Sequence, residues 1–211
     1  MNLNLINDDC MSVMGEYPDN YFDLAIVDPP YGININVNMG RRKGGKKSDY
    51  HKFAGNDSCI PDKEYFIELK RVSKNQIVWG GNYMTDYLKP SPCWLLWDKG
   101  FSADVTFAQF EMAWTSFNSS AKKYDKHPNQ LNRIHPTQKP TCLYDFIYSR
   151  YAEEGQKILD THLGSGSNAI AAHYAQMGEF VGVELDADYF DLAEARIKQE
   201  TKQVDMFAGV I

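Results

Sequence analysis

An α/β fold, built on a doubly wound sheet with helices on both faces, is predicted by three features of this 211-residue sequence. Short apolar runs that read as strands alternate with stretches of helical periodicity. One such run, Leu24-Ala25-Ile26-Val27, is closed by Asp28-Pro29-Pro30-Tyr31, and two prolines directly after a strand cannot continue the sheet. Another, Lys157-Ile158-Leu159-Asp160, leads through Gly164-Ser165-Gly166-Ser167-Asn168 into a helix, the strand–turn–helix layout that cradles nucleotides.

Composition narrows the class. The length suits one domain over 1–211 with a sizeable core, and 43% hydrophobic with 24% charged residues fits a soluble globular chain. No apolar run approaches the ~20 residues of a membrane span, and no basic region precedes an apolar stretch at the N-terminus. Cys10, Cys59, Cys93 and Cys142 are isolated, so neither a zinc site nor a disulfide framework is expected; reduced thiols in a cytoplasm are. A net charge of −6 argues against a non-specific nucleic-acid coat, so the placement of the basic residues matters more than their sum.

Taken in order, residues 1–6 read as a strand, followed by Asp8-Asp9-Cys10 and a short helix around Met11 to Met14. Leu24 to Val27 then delivers a rigid lip: a carboxylate, two donor-free carbonyl positions and an aromatic ring, a set suited to a flat base bearing an exocyclic amine. Residues 32–55 lack periodicity and carry Arg41, Arg42, Lys43, Lys46 and Lys47 around two glycines, a mobile loop suited to DNA phosphate. Pro61 is expected at the first helical position, with Tyr65, Phe66, Leu69 and Val72 facing inward. Gln76 to Trp79 is a strand ending in Gly80-Gly81-Asn82. Cys93 to Trp97 and Glu111 to Phe117 read as an antiparallel pair at a sheet edge. Residues 118–133 are polar and irregular, with Lys122 and Lys123 as further phosphate contacts, and are too short for a folded domain. A loop, His135-Pro136-Thr137-Gln138-Lys139-Pro140, precedes a helix over 141–151. Phe180 to Glu184 is a strand with an acidic end, followed by Leu185 and an amphipathic helix.

Asp28-Pro29-Pro30-Tyr31, His135 to Pro140, and the order Asp160, Gly164-x-Gly166, Glu184 together resemble the beta class of amino-group DNA methyltransferases, which methylate adenine N6 or cytosine N4. The resemblance covers nearly the whole chain. It implies a circularly permuted class I S-adenosylmethionine-dependent methyltransferase (Rossmann-like) fold with a mixed seven-stranded sheet. It implies that Asp28, Pro29, Pro30 and Tyr31 are catalytic. It also implies cofactor contacts from Asp9, Cys10, Asp28, Thr137, Gln138, Lys139, Asp160, Leu163, Gly164, Ser165, Gly166, Ser167, Asn168, Glu184 and Leu185. Lys139 would hold the methionine carboxylate, and Asp9, where Asp8 replaces the family's glycine, the adenine. A helix N-cap is the plainer reading of Asp9.

The function expected is methyl transfer from S-adenosylmethionine to N6 of a flipped adenine in DNA, as in restriction–modification, with no metal. Cytosine N4 is the alternative within the class. An NAD-dependent oxidoreductase is the alternative outside it, although the glycine turn lacks the third glycine of Gly-x-Gly-x-x-Gly. The resemblance also implies a homodimer, which no sequence feature specifies. At the C-terminus, Gln203-Val204-Asp205-Met206-Phe207 resembles the short peptide by which bacterial replication and repair proteins bind the sliding clamp; core or dimer packing is the plainer reading.

Overall fold

The computed structural model describes residues 1–34, 57–101, 108–128 and 133–205, with backbone alone for 203–205. Eight strands form one sheet: β1 (Asn2–Asn7), β2 (Phe22–Val27), β3 (Ser73–Trp79), β4 (Trp94–Asp98), β5 (Phe110–Thr115), β6 (Lys122–Asp125), β7 (Lys157–Asp160) and β8 (Glu179–Glu184). Their order is β1-β8-β7-β2-β3-β5-β4-β6. The block from β1 to β3 is parallel throughout. β5 is antiparallel to both β3 and β4. The first strand of the chain therefore lies beside the last, Asn2 opposite Glu179 and Asn7 opposite Glu184, as the permuted order requires.

Among the described residues five α-helices cover the sheet: α1 (Cys10–Gly15), α2 (Lys63–Val72), α3 (Thr141–Tyr151), α4 (Ser167–Tyr174) and α5 (Ala187–Asp205). Alternation along β2 divides the core between them. Leu24 and Ile26 pack in the cluster that includes Leu143, Ile147, Ile170 and Ile197 from α3, α4 and α5. Ala25 and Val27 pack with Val13, Met14, Phe66 and Leu69 from α1 and α2. A strand buried on both faces reads as a continuous apolar run for this reason.

Three sequence expectations need correction, and one plainer reading, that of Asp9, is met. The sheet has eight strands, not seven: β6 lies inside the stretch expected to be irregular and pairs in parallel with β4. Its sequence, Lys122-Lys123-Tyr124-Asp125, has no strand-like apolar pattern because it is an edge strand, where charge is tolerated; only Tyr124 turns inward, against Phe146 at 4.8 Å. Helix α2 begins at Lys63 with Asp62 as its N-cap, accepting from the Tyr65 amide at 3.1 Å, so Pro61 precedes the helix. Asp9 likewise caps α1, accepting from the amides of Met11 and Ser12 at 2.9 and 3.2 Å. Finally, α5 runs through Gln203, Val204 and Asp205, so the clamp-like peptide begins inside a helix; Met206 and Phe207 lie outside the described residues, as do Arg41 to Lys47. Among the described residues no helix is long and apolar enough to cross a membrane.

Asn168 ties the parallel strands together. Only 1% exposed, it donates from Nδ2 to the Ile26 carbonyl at 3.2 Å and to Asp160 Oδ2 at 2.9 Å, and accepts from the Tyr148 hydroxyl at 2.6 Å. One side chain thus fixes α4 against β2, β7 and α3. Asn168→Ala is expected to lower unfolding stability by about 3 kcal/mol, since it takes the Asn168 bond from Asp160 Oδ2 and from the buried Tyr148 hydroxyl. Urea denaturation checks this; a loss under about 1 kcal/mol would show that the link is dispensable.

Candidate active site

Strands β2, β3, β7 and β8 run parallel, so their carboxyl ends and following turns meet at one edge, the place where open α/β sheets bind ligands. There they enclose a cavity of roughly 800 Å³. Asp28, Pro29, Pro30 and Tyr31 form one wall, and Leu163, Gly164, Ser165, Ser167 and Glu184 another. Thr137, Gln138 and Lys139 also line the space.

The Tyr31 lip is held from below and from the side. Asp57 Oδ1 accepts the backbone amides of Tyr31 and Gly32 at 2.8 and 3.2 Å. The Tyr31 ring stacks on Tyr83, with centroids 5.4 Å apart and planes inclined by 20°. Gly80 makes the approach feasible: its φ is +68°, and a Cβ there would lie 2.2 Å from the Tyr31 ring. Any side chain at Gly80 would have to displace that ring.

Behind the lip sits a charge cluster. The Tyr31 hydroxyl donates to Asp28 Oδ1 at 2.6 Å. Lys139 pairs with Asp28 Oδ2 and lies 3.2 Å from Glu111 Oε2. Lys99 pairs with Glu111 Oε1 at 2.5 Å. The Lys139 side chain is 4% exposed, with its ammonium 5.3 Å from the Trp79 ring centroid. Burial disfavours that ammonium, but Asp28 and Glu111 raise its pKa above the ordinary value. Burial would push Glu111 up; Lys139 and Lys99 instead hold it at about 2. Lys139 is thus paired with both Asp28 and Glu111, and each Asp28 oxygen holds one partner.

On the opposite wall, Gly164 has φ +52° and an added Cβ would meet nothing nearer than 3.9 Å, so the turn leaves open space before α4. Gly166 serves packing instead, since a Cβ there would lie 2.7 Å from Ile197 of α5. Glu184 ends β8 and accepts the Gly164 amide at 2.8 Å and the Asp186 amide at 3.1 Å. Burial raises its pKa despite those bonds. Thr137 bonds His135 Nδ1 at 3.0 Å, and Gln138 accepts the Ile134 amide at 3.0 Å. Burial, then Lys139 and Arg133, lower the His135 pKa to about 4.

Several expected residues do not line the cavity: Asp9, Cys10, Asp160, Gly166, Asn168 and Leu185. Burial, with Asp9 adding to it, pushes the Cys10 thiol up to about 12. Leu185 is 66% exposed. Lys122 and Lys123 sit on β6, and Lys123 is already paired with Asp98 and Asp125. Conversely, Lys99, Glu111, Tyr83 and Asp57 line the cavity without having been singled out. Glu111 carried a signal: a carboxylate within Phe110–Thr115, an otherwise apolar strand in the sheet interior, needs a buried partner.

Residues 70–195 match the family model of N6/N4 methyltransferases, described as DNA methylase. The chain belongs to this family. The match begins after Tyr31, so the lip lies outside the matched span. The putative methylase YubD of Escherichia coli K12 is 25% identical to this methylase over 212 residues, covering 91% of this chain and 88% of YubD. The type II methyltransferase M.HpaI of Haemophilus parainfluenzae is 32% identical over 78 residues, 36% of this chain and 24% of M.HpaI. The fold is shared with the M1.HpyAVI–SAM complex, at TM-score 0.63 and 17% identity over 92% of this chain and 98% of that one. It is shared equally with the cytosine-N4-specific PvuII DNA methyltransferase, at TM-score 0.62 and 11% identity over 96% and 91%. Family membership displaces the NAD-dependent reading.

Two measurements probe this architecture. Gly80→Ala is expected to cost about 1–3 kcal/mol by overpacking, on top of the backbone strain that an L side chain carries at φ +68°; only the overpacking part should fall away in a Tyr31→Ala background, and equal costs in both backgrounds would show that the ring is not what the methyl meets. Asp160 is raised by burial, against bonds from Asn168 and the His162 amide, from an ordinary 3.8 to about 7. Because the folded pKa is the higher one, the stability it contributes is full below about pH 4 and lost as pH rises through about 7. His135 and His162, both lowered to about 4 chiefly by burial, act in the opposite direction over that window. The wild-type profile minus that of Asp160→Asn should therefore fall between pH 4 and 7 and flatten above it; a flat difference would remove Asp160 as its source.

Proposed function

We propose that this methylase transfers a methyl group from S-adenosylmethionine to the exocyclic N6 of an adenine flipped out of DNA. The observation carrying this reading is that one cavity joins the glycine cradle at Gly164 to the Asp28–Tyr31 lip. The fit of the cofactor rests on the same cradle. An open φ-positive glycine stands at the start of α4, and an acidic residue ends the next strand. Backbone amides can approach a ligand at the first, and Glu184 can accept from ribose hydroxyls. When bound, S-adenosylmethionine supplies an already activated methyl on its sulfonium.

The protein's remaining task is placement. Asp28 accepts an N–H of the target amine, and the Pro29 carbonyl is a second acceptor, since no proline amide competes for it. Those two acceptors localise the nitrogen lone pair and favour the positive charge that develops on it. The rings of Tyr31 and Tyr83 supply apolar faces for a flat base. The amine shares Asp28 with the Tyr31 hydroxyl and Lys139, each of which takes one of its oxygens. Lys122 and the basic residues Arg41, Arg42, Lys43, Lys46 and Lys47 are the proposed phosphate contacts.

Cytosine N4 is the second reading, favoured by the fold shared with a cytosine-N4-specific enzyme. Asp28→Ala is expected to lower methyl transfer by at least about a hundredfold while S-adenosylmethionine affinity, measured by calorimetry, stays near wild type. Nucleoside mass spectrometry of treated DNA should give N6-methyladenine. Transfer at the wild-type rate by Asp28→Ala would sink the catalytic assignment, and N4-methylcytosine as the product would replace the base assignment.

A further inference from the structure

We infer that Glu111 is a positioning residue for methyl transfer: it is the second anion that keeps Lys139 when the target amine takes a place on Asp28. The inference rests on the proposed methyl transfer and deepens it. Asp28 has two oxygens and both are occupied, Oδ1 by the Tyr31 hydroxyl at 2.6 Å and Oδ2 by Lys139. Each oxygen can accept a second bond, so an incoming amine shares Asp28 with these partners and is held more strongly if one of them loosens. Lys139 sits in a nearly sealed position, where an ammonium without an anion is strongly disfavoured. Glu111 Oε2 is already 3.2 Å from it. Lys139 can transfer its bond to Glu111 without leaving the cluster.

The geometry of Glu111 suits that task. Lys99 holds its other oxygen at 2.5 Å, so the acceptor is fixed before the amine arrives. The Lys99 ammonium also lies 5.2 Å from the Trp97 ring centroid, which keeps it in place. Asp28 and Glu111 balance Lys99 and Lys139, so the cluster is neutral around a neutral base. Methylation makes the target nitrogen cationic until it loses a proton. Without Glu111 the lysines would outnumber the carboxylates, opposing that charge while leaving Lys139 fixed on Asp28.

The test compares wild type, Glu111→Gln and Glu111→Gln/Lys99→Met. The double variant restores the charge balance yet still denies Lys139 its second anion. Methylation of DNA is followed together with S-adenosylmethionine affinity by calorimetry and thermal melting. Both variants are expected to lose about tenfold to a hundredfold in kcat, the equivalent of one charge-assisted hydrogen bond. The KM for DNA and the cofactor affinity should stay within about twofold of wild type, because this bond is exchanged only as the amine engages. Wild-type kcat in either folded variant overturns the inference, as does a loss confined to KM or cofactor affinity. Failure of both variants to fold assigns Glu111 to structure and overturns it too. A wild-type protein that binds S-adenosylmethionine but methylates no DNA would overturn the proposed function itself, and the inference with it.

Discussion

The active edge of this sheet depends on one buried ammonium. Lys139 arrives from the loop before α3, yet its charge is neutralised by Asp28 at the end of β2 and Glu111 on β5. Elements far apart in sequence are thereby held at one point. A buried ion pair is rarely a net gain over apolar packing, so its value here lies in geometry. The pair orients Asp28, and through the Tyr31 hydroxyl it also orients the ring on which Gly80 and Tyr83 converge. Removing Lys139 would leave Asp28 to the Tyr31 hydroxyl and Glu111 to Lys99. The lip, the charge cluster and the floor of the cavity therefore form one mechanical unit.

The opposite wall is organised differently. Around the glycine cradle the polar groups are satisfied by backbone and neutral side chains: Glu184 by two amides, Asp160 by Asn168 and the His162 amide. Arg196 of α5 reaches back to the Ser165 carbonyl and the Ser167 hydroxyl at 2.8 and 2.9 Å, bracing the turn from outside. Paired charges sit at the lip, whereas the cradle is held mainly by backbone amides and hydroxyls around the carboxyl group of Glu184.

Much of this was legible in the chain. The strands β2, β3, β7 and β8 announced themselves as apolar runs, because burial on both faces leaves no polar alternation to confuse them. Asp28 to Tyr31 and the Gly164 turn were visible because prolines and glycines constrain the backbone wherever they occur. What escaped was whatever depends on partners distant in sequence. Glu111 and Lys99 look like ordinary surface charges until β5 is placed inside the sheet. Lys139 reads as a partner for a carboxylate, and the sequence does not show that Asp28 and Glu111 already stand beside it. Asn168 and Gly166 sit beside a ligand cradle in sequence and serve packing in space. β6 was missed because an edge strand of lysines carries no periodic signal, and Asp9 and Asp62 proved to be helix caps, a local role their sequences had equally allowed.

The pairing of β1 with β8 constrains how the chain is made. Asn7 bonds the carbonyl of Glu184 at 2.8 Å across 177 residues, so the first strand has no lateral partner until the last one is synthesised. During translation β1 must wait, while β2 and β3 already have the means to pair and α1 can pack on β2 and α2. Closing the sheet comes late and spans nearly the whole polypeptide, and such long-range parallel pairing is slow and exposes unpaired strand edges. The permuted order that places base chemistry first and the cradle last thus gives the emerging chain a prolonged interval in which its amino terminus is vulnerable to association and to proteases.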